Sequence, residues 1–517
     1  MVAIAQLMVV LDATVVNIAL PTAQQALKFP NGDRQWVVTA YALAFGSLLL
    51  LGGRIGDMFS RKRVFITGMI GFAVSSAIGG AATSFGMLVA ARTLQGVFGA
   101  ILAPAALGTL VSTFQDPRER GKAFGVFGSV AGGGGAVGLI LGGLLTEYLS
   151  WRYTLYVNLV FAALAITGAL IYIQDNKPAN RKRLDIVGAI LAGAGLFCIV
   201  FGFSHAESAG WGTPLTIGSL TAGVVLLAAF VLAERRIKNP LLPLRVILDR
   251  GRGGAYVAVG VVGISMFGMF LFLTYYLQTV KHFSPVSSGL AFLPMIACLL
   301  ISSNTSSIVL LPRVGPRVLI TTGMVLGAIG MLYLSQISVT SSYVAHVLPA
   351  LIVMGFAFGM VVTPAINTAT AGVPRQDSGV ASALVNTMQQ VGGSIGTALL
   401  STIALTASAH YLLAHHAGPL TAAGPLAAAT HGYKIAFTTS AIMCGAGALL
   451  AITLLPAKRR LEEQRAAAAA QAAAVPAGEQ TAATPADVTG VGGPQAGGPQ
   501  AGAAQLRPEA ETAASNA

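Results

Sequence analysis

Charged residues are scarce in this sequence of 517 residues. They make up 9% of it, whereas a soluble domain carries about 25%. Because hydrophobic residues account for 55%, the chain has too little polar surface to cover a soluble fold. The composition therefore predicts an integral membrane protein.

Metal-binding and disulfide patterns are also missing. The three cysteines lie far apart in apolar runs, so they predict neither a disulfide framework nor a metal site. Four histidines share one loop near the C-terminal end, where they could bind a metal, but their spacing is loose. We interpret them as solvated loop residues and expect no metal. The histidines are His410, His415, His416 and His431.

A separate basic domain is absent, although the net charge is +13. The basic residues form short clusters between apolar runs, as cytoplasmic loops do, so we expect a lipid bilayer and not a nucleic acid as the partner. No Walker A phosphate loop occurs, which argues against ATP as the energy source. No basic segment precedes the first apolar run and no cleavage pattern follows it. We therefore expect a retained helix and not a signal peptide.

What the sequence does contain is a series of long apolar runs. About 20 apolar residues cross the hydrocarbon of a bilayer as a helix, so these runs predict fourteen transmembrane helices. With the N-terminus inside, most Lys and Arg residues fall in inner loops, which predicts that both termini are cytoplasmic. The predicted spans are approximately 1–20, 36–55, 64–83, 86–110, 122–146, 152–173, 184–204, 213–233, 254–278, 286–311, 317–337, 343–364, 377–407 and 433–455.

Three sequence blocks recur in the same order in the second half of the chain. "RKRVFITG" at 61–68 matches "GPRVLITTG" at 315–323, and "GAILAPA" at 99–105 matches "GMVVTPA" at 359–365. "PRERGKAFG" likewise matches "PRQDSGVAS". The repeat predicts two parallel six-helix bundles with two extra helices between them, and parallel repeats place a binding site at their interface. The predicted domains are 1–175, 176–250, 251–456 and a disordered tail rich in Ala, Gly and Pro at 457–517.

The sequence resembles the major facilitator superfamily. "GGRIGDMFSRKRVF" at 52–65 is similar to its signature between helices 2 and 3. "LDATVVNIALP" at 11–21, "YLQTVKHFSPVSSGLAFLP" at 276–294 and "GVASALVNTMQQVGGSIGTAL" at 379–399 resemble its fourteen-helix drug:proton antiporter branch. That resemblance implies a protein with the major facilitator fold that exports quaternary ammonium compounds and other drugs.

Asp12 and Arg92 are the charged residues placed deep in apolar spans. A charge there costs about 2.5–3.5 kcal/mol on insertion scales, and burial favours the neutral form of an acid. Asp12 can therefore alternate between charged and neutral forms, as a proton carrier must. The resemblance implies proton coupling for both residues. Structural pairing of Asp12 with a neighbouring helix, and a bond from Arg92 to backbone carbonyls, are the alternatives.

Amides and glycines mark further candidate positions on the same helices. We predict that Asp12 lines a substrate cavity together with amide side chains, namely Asn17, Gln95, Asn386, Gln389 and Gln390. Glycine stripes predict close packing of helices at Gly96, Gly99, Gly128, Gly132, Gly135 and Gly142. The antiporter motif of this family usually has proline after the glycine, but here Leu139 follows Gly138. The inference of antiport is weaker without that proline, so an importer is a further alternative.

The loop between helices 2 and 3 supplies the candidate gate. The resemblance implies that Asp57 and Arg61, with Gly53 before them, clamp the cytoplasmic side. The alternative for the basic residues is simple anchoring at the inner membrane surface. Ser60 stands where the family usually has glycine.

Together these features predict a monomeric, proton-driven exporter of hydrophobic, cationic or amphipathic small molecules in a bacterial plasma membrane. It would use the proton-motive force without a cofactor and without enzymatic chemistry. A dedicated exporter of one self-made antibiotic or other metabolite is the first alternative. A non-transporting membrane sensor is the second alternative.

Overall fold

The computed structural model describes residues 1–113, 117–173, 185–237, 240, 242, 244–370, 373, 378–414 and 423–458. Within these residues the regular structure is entirely helical, which confirms the predicted all-α membrane fold. The α-helices are α1 Val2–Leu27, α2 Arg34–Met58, α3 Arg61–Gly80, α4 Phe85–Thr113, α5 Pro117–Tyr148, α6 Tyr153–Tyr172, α7 Ile186–Ala209, α8 Pro214–Glu234, α9 Leu244–Ile247, α10 Arg250–Tyr275, α11 Pro285–Ala291, α12 Leu293–Thr305, α13 Leu311–Leu334, α14 Leu348–Thr370, α15 Ser378–Ala414 and α16 Ala423–Leu454. Short π-helical turns lie at Tyr276–Val280, Ser306–Leu310 and Tyr343–Val347.

Each of the fourteen predicted spans falls on helical backbone. Eleven segments of the described chain are long and apolar enough to cross a membrane, and they do not include α2 and α5, on which two further predicted spans fall. One of the eleven, Pro285–Leu334, holds two predicted spans. Gly315, with φ of 78°, breaks it ahead of Pro316. The count of fourteen crossings therefore remains a prediction.

Successive long helices run in opposite directions, so the connecting loops alternate between two ends of the bundle. We name the end that holds Arg61, Arg250 and Lys458 the basic face, and the other end the opposite face. Basic side chains bind backbone carbonyls at the basic face. Arg250 Nη2 donates to the Thr453 carbonyl at 2.5 Å and Lys458 Nζ to that of Arg313 at 3.2 Å. Thr453 lies in the last turn of α16, where carbonyls lack intrahelical donors and therefore favour a cation.

The buried side chains form a core in each half of the chain. In the first half, Phe65, Phe72 and Leu102 belong to one cluster. The core of the second half, built around aromatic residues of α10 and α14, extends into the first half through Ile18 and Trp151. This extension joins the two halves at the opposite face.

The two helices between the halves pack against each other and against the main bundle. Val200 of α7 forms a small buried cluster with Leu43 of α2 and Ala398 of α15. Much of α8 is exposed, including Val224 and Val225, as expected for a helix that faces lipid. The domain limits at 175 and 250 stay predictions. The predicted tail from 457 onward lies almost entirely outside the described residues.

Candidate functional site

Asp12 lies in the middle of α1 and is completely buried, with 0% of its surface exposed. Polar side chains lie on two sides of α1. Thr14 faces α5, where a Cβ placed on Gly138 would lie 3.1 Å from the Thr14 Cβ. Asp12 points the other way, towards α3, α4 and α6. The close approach of α5 thus leaves the carboxylate enclosed within the first half.

Arg92 of α4 is the charged partner of Asp12. Its Nη1 lies 2.5 Å from Asp12 Oδ2, and only 2% of the arginine side chain is exposed. Arg92 Nε also donates to the Val37 carbonyl at 3.1 Å, and the guanidinium lies 4.5 Å from the centre of the Tyr41 ring. Arg92 therefore has a carboxylate partner and a backbone carbonyl partner at once, and its role in proton coupling stays a prediction.

The other oxygen of Asp12 accepts hydrogen bonds from two amides. Gln95 Nε2 lies 2.9 Å from Asp12 Oδ1, and Asn158 Nδ2 lies 2.7 Å from the same atom. Both amides also donate to Ser76 Oγ, at 2.6 Å and 3.2 Å. Gln95 Oε1 in turn accepts from Arg92 Nη1 at 2.8 Å. Five side chains from α1, α3, α4 and α6 thus form one buried network, which we call the Asp12 network: Asp12, Ser76, Arg92, Gln95 and Asn158.

Every neighbour that bonds the Asp12 carboxylate donates a hydrogen bond to it. Burying an ion pair costs desolvation energy that is recovered only with good geometry and further hydrogen bonds. A proton added to Asp12 would remove its charge and leave Arg92 buried without an anionic partner in the network. The structure shows the paired arrangement of the network, and protonation of Asp12 would give a chemically distinct, unpaired one.

Asn158, Ser76 and Tyr41 are site residues that were not predicted from the sequence. Asn158 is the one amide side chain in the largely apolar α6, and a lone amide in such a helix could have indicated a site residue. Ser76 and Tyr41 carried no signal of their own, because serine and tyrosine are common in such helices. Their roles arise from contacts between helices.

We expect Ser76→Ala to impair coupled transport, whereas Ser75→Ala should not. Ser76 Oγ accepts from both amides that hold Asp12, and leaving buried donors unpaired costs about 1–3 kcal/mol. Ser75 is also buried, but its hydroxyl bonds Gly71 of its own helix at 2.7 Å. Proton movement driven by substrate in vesicles, at matched protein levels, compares the two. Equal transport by both variants would contradict a functional role for the Ser76 hydroxyl in the Asp12 network.

The remaining amides predicted for the cavity lie elsewhere. Asn17 Nδ2 donates to the Ala13 carbonyl of its own helix at 2.9 Å. On α15, Gln390 packs beside Gly46 of α2, and the Gln389 backbone lies beside Gly263 of α10. Asn386, also on α15, is exposed. Since Asp12 and Gln95 are enclosed, contact of either with a substrate would require another conformation, and the cavity assignment stays a prediction.

The predicted gate is described in part. Arg61 Nη1 donates to the Gly108 carbonyl of α4 at 2.6 Å, while the side chain of Asp57 lies outside the described residues. Gly53 has space, since a Cβ there would meet its nearest neighbour at 3.8 Å. Ser60, in place of the family's glycine, caps α3 by accepting from the Arg63 amide. The gating role of these residues stays a prediction.

The glycine stripes coincide with close helix contacts where they are described. A Cβ on Gly96 would lie 2.5 Å from the Tyr41 carbonyl, and one on Gly99 would lie 3.0 Å from the Phe45 ring. Gly135 has more room, with Ile296 at 3.9 Å. The surroundings of Gly128 and Gly132 lie outside the described residues. α5 is one continuous helix from Pro117 to Tyr148.

The second half contains a neutral polar cluster where the first half contains the Asp12 network. In the repeat, α10 and α16 correspond to α1 and α6. Ser440 Oγ of α16 donates to Ser265 Oγ of α10 at 3.0 Å, and Cys444 Sγ lies 3.0 Å from the same oxygen. Among the described residues, the first-half cluster thus contains an ion pair, whereas the corresponding cluster of the second half is neutral.

Polar contacts join the two halves at the opposite face. Tyr275 of α10 donates its hydroxyl to Gln24 Oε1 at 2.6 Å, and Gln278 Nε2 donates to the Ile18 carbonyl at 2.9 Å. Glu147 of α5 accepts from the Val286 amide at 2.9 Å, at the start of α11. These contacts close the bundle at that end. No group of three or more potential metal ligands occurs among the residues with described positions.

Comparison with known proteins shows to which family this architecture belongs. The family model described as Major Facilitator Superfamily matches residues 2–397. A puromycin resistance protein of Streptomyces alboniger is 47% identical over 462 residues, which are 89% of this chain and 91% of that protein. A cephamycin export protein of Amycolatopsis lactamdurans is 38% identical over 402 residues, 77% of this chain and 83% of that protein.

The fold comparison agrees with the sequence comparison. A solved structure of an auto-inhibited peptide transporter of the POT family superimposes with a TM-score of 0.63 at 16% identity, covering 87% of this chain and 95% of that one. The family match covers more than half of the sequence, and the helical architecture and the resistance and export proteins agree with it. The chain belongs to the Major Facilitator Superfamily.

Proposed function

We propose that this protein is a proton-driven exporter of antibiotics and other hydrophobic, cationic or amphipathic small molecules. The observation that carries the proposal is the Asp12–Arg92 pair, an acid and a base joined at 2.5 Å inside an apolar bundle. Such a pair is costly to bury, and ionisable residues within membrane spans mark proton and ion pathways. The energy source is the proton-motive force, with no cofactor and no enzymatic step.

The coupling follows from the two arrangements of the Asp12 network. In the described conformation Asp12 is sealed, and its charge is satisfied by Arg92, Gln95 and Asn158. A conformation that exposes Asp12 to water would let it take a proton and release Arg92. Proton and substrate then drive a cycle if each favours a different conformation of the bundle.

The direction and the substrate class rest on the relatives. The relatives described above are named for resistance to puromycin and for export of cephamycin. Removal of a toxic molecule from the cell explains resistance, so export is the direction proposed here. Leu139 stands in place of the usual proline, and an importer is the outcome that a transport assay would have to exclude.

A dedicated exporter of one antibiotic is the second candidate. It is favoured by the 47% identity to a protein named for a single antibiotic. A susceptibility panel in an efflux-deficient bacterial host separates the two. Higher tolerance to several unrelated antibiotics supports the broad exporter, and higher tolerance to one compound supports the dedicated one.

Proteoliposomes test the transport mechanism directly. We expect substrate added to energised vesicles to release protons in exchange, and a protonophore to abolish substrate accumulation. Uptake that persists without a proton gradient would contradict the proposed energy source. Substrate moving with protons in the same direction would identify an importer. A bilayer protein with no flux of any tested compound would favour a sensor.

Both termini are proposed to be cytoplasmic, so that the basic face is the inner face. Reporter fusions after Ile173 and after Leu232 should then both report cytoplasm, because α7 and α8 return the chain to the same side. A fusion at Gly210, between these helices, should report the outer side. Opposite reports at Ile173 and Leu232 would contradict the arrangement of six, two and six helices. We further propose that the transporter is a monomer in the bacterial plasma membrane.

A further inference from the structure

Arg34 begins α2 at the opposite face and is buried, with 3% of its surface exposed. Three aromatic rings surround its guanidinium. The guanidinium carbon lies 4.2 Å from the centre of the Tyr275 ring, 5.7 Å from Tyr433 and 5.8 Å from Phe272. Arg34 Nη1 also reaches the Tyr433 hydroxyl at 3.5 Å. We call Phe272, Tyr275 and Tyr433 the aromatic cage.

All three rings of the aromatic cage belong to the second half of the chain, on α10 and α16. Arg34 belongs to the first half. The contact therefore forms only while the two halves are together at the opposite face. Any movement that separates them there must withdraw Arg34 and leave the cage without its cation.

The cage has the chemistry of an organic cation site. Cations within about 6 Å of an aromatic ring centre are attracted by its negative face, and cages of several rings recognise ammonium and guanidinium groups. The Tyr433 hydroxyl adds a hydrogen-bond acceptor for an N–H group. The Phe272 and Tyr433 rings lie 5.8 Å apart, which fixes two walls of the cage independently of Arg34.

We propose that the aromatic cage is a binding site for organic cations at the opposite face, occupied by Arg34 while that face is closed. A substrate carrying a guanidinium or ammonium group competes with Arg34 for the cage and favours opening of that end. The role in transport rests on the proposed export function. The binding itself does not, since it can be measured without transport.

Binding of benzylguanidinium to the full-length protein in nanodiscs tests the site. We expect Arg34→Ala to bind this cation about fivefold or more tightly than the wild type, because the competing guanidinium is gone. Benzylurea, the uncharged compound of the same shape, should bind both proteins equally. Arg34→Lys should resemble the wild type, since an ammonium group still occupies the cage. Arg34→Gln replaces the alanine variant if that variant does not fold.

Tyr275→Leu in the Arg34→Ala background is the matched control and should lose the gain. An equal gain for benzylurea would identify an apolar hole without cation recognition and overturn the proposal. The absence of any gain for benzylguanidinium would overturn it too. If binding increases as expected while the wild type exports nothing, the binding site is supported. The proposed export function is then contradicted instead.

Discussion

The Asp12→Asn variant is expected to reach the membrane and to build up no substrate gradient. Proton exchange needs a group that alternates between a charged and a neutral form, and asparagine is always neutral. Substrate would at most equilibrate across the membrane. The measurement is proton movement driven by substrate in vesicles, with equal amounts of variant and wild-type protein.

The structure adds a stability cost to this substitution. Arg92, Gln95 and Asn158 all donate hydrogen bonds to the Asp12 carboxylate. An asparagine at position 12 has N–H donors of its own. At least one of these contacts would then bring two hydrogen-bond donors together, unless a neighbouring amide side chain rotates. It also leaves Arg92 as a buried charge without its anion, which costs about 3–5 kcal/mol. We therefore expect a lower unfolding temperature in addition to the lost coupling.

Two comparison variants separate coupling from folding. Asp12→Asn combined with Arg92→Gln removes both charges, so it should recover much of the stability and remain uncoupled. Asp249→Asn makes the same chemical change at the N-cap of α10, where asparagine serves as well as aspartate, and should transport normally. Uphill, proton-coupled export by Asp12→Asn would show that Asp12 is structural. Asp12→Glu should retain part of the activity with an altered pH dependence.

The second large effect is expected from Gly52→Ala. A Cβ at this position would overlap the carbonyl oxygen of Ala100 and would lie 2.7 Å from the carbonyl carbon. Those neighbours are backbone atoms of α4 and cannot rotate away. The substitution must push α2 and α4 apart, and overpacking of this kind costs about 1–3 kcal/mol or more. The predicted readout is a lower unfolding temperature and less monodisperse protein in detergent.

Gly133→Ala is the matched control for this prediction. Gly133 also lies inside a long helix of the first half, but a Cβ there meets nothing within 4 Å. Alanine favours helix over glycine by about 1 kcal/mol, so the control should be neutral or more stable. Equal unfolding temperatures for Gly52→Ala and the wild type would show that the contact between α2 and α4 is looser than described.

The sequence predicted the two ends of the charge pair because charges are expensive in apolar spans. Asp12 and Arg92 stand out for that reason alone, and Gln95 lies one helical turn from Arg92. Asn158 and Ser76 could not be placed beside Asp12, since their contacts depend on how α3 and α6 pack on α1. The gate motif predicts a gating role for Gly53, which stays a prediction, and it did not indicate the tight helix contact at the neighbouring Gly52. Which of two neighbouring glycines faces α4 depends on how α2 is rotated about its own axis. A helix that is apolar on all sides gives no sequence pattern that fixes this rotation.

The neutral cluster of Ser265, Ser440 and Cys444 has a consequence for the energy available to transport. Under the proposed mechanism Asp12 is the coupling acid, and the corresponding cluster in the described part of the second half holds no acid, so one cycle would exchange a single proton. Export of a monovalent cation against one proton moves no net charge across the membrane. Its accumulation ratio would then follow the pH difference alone, about tenfold for each pH unit, and the membrane voltage would contribute nothing. Export of a neutral compound would instead carry one positive charge inward and draw on the voltage as well.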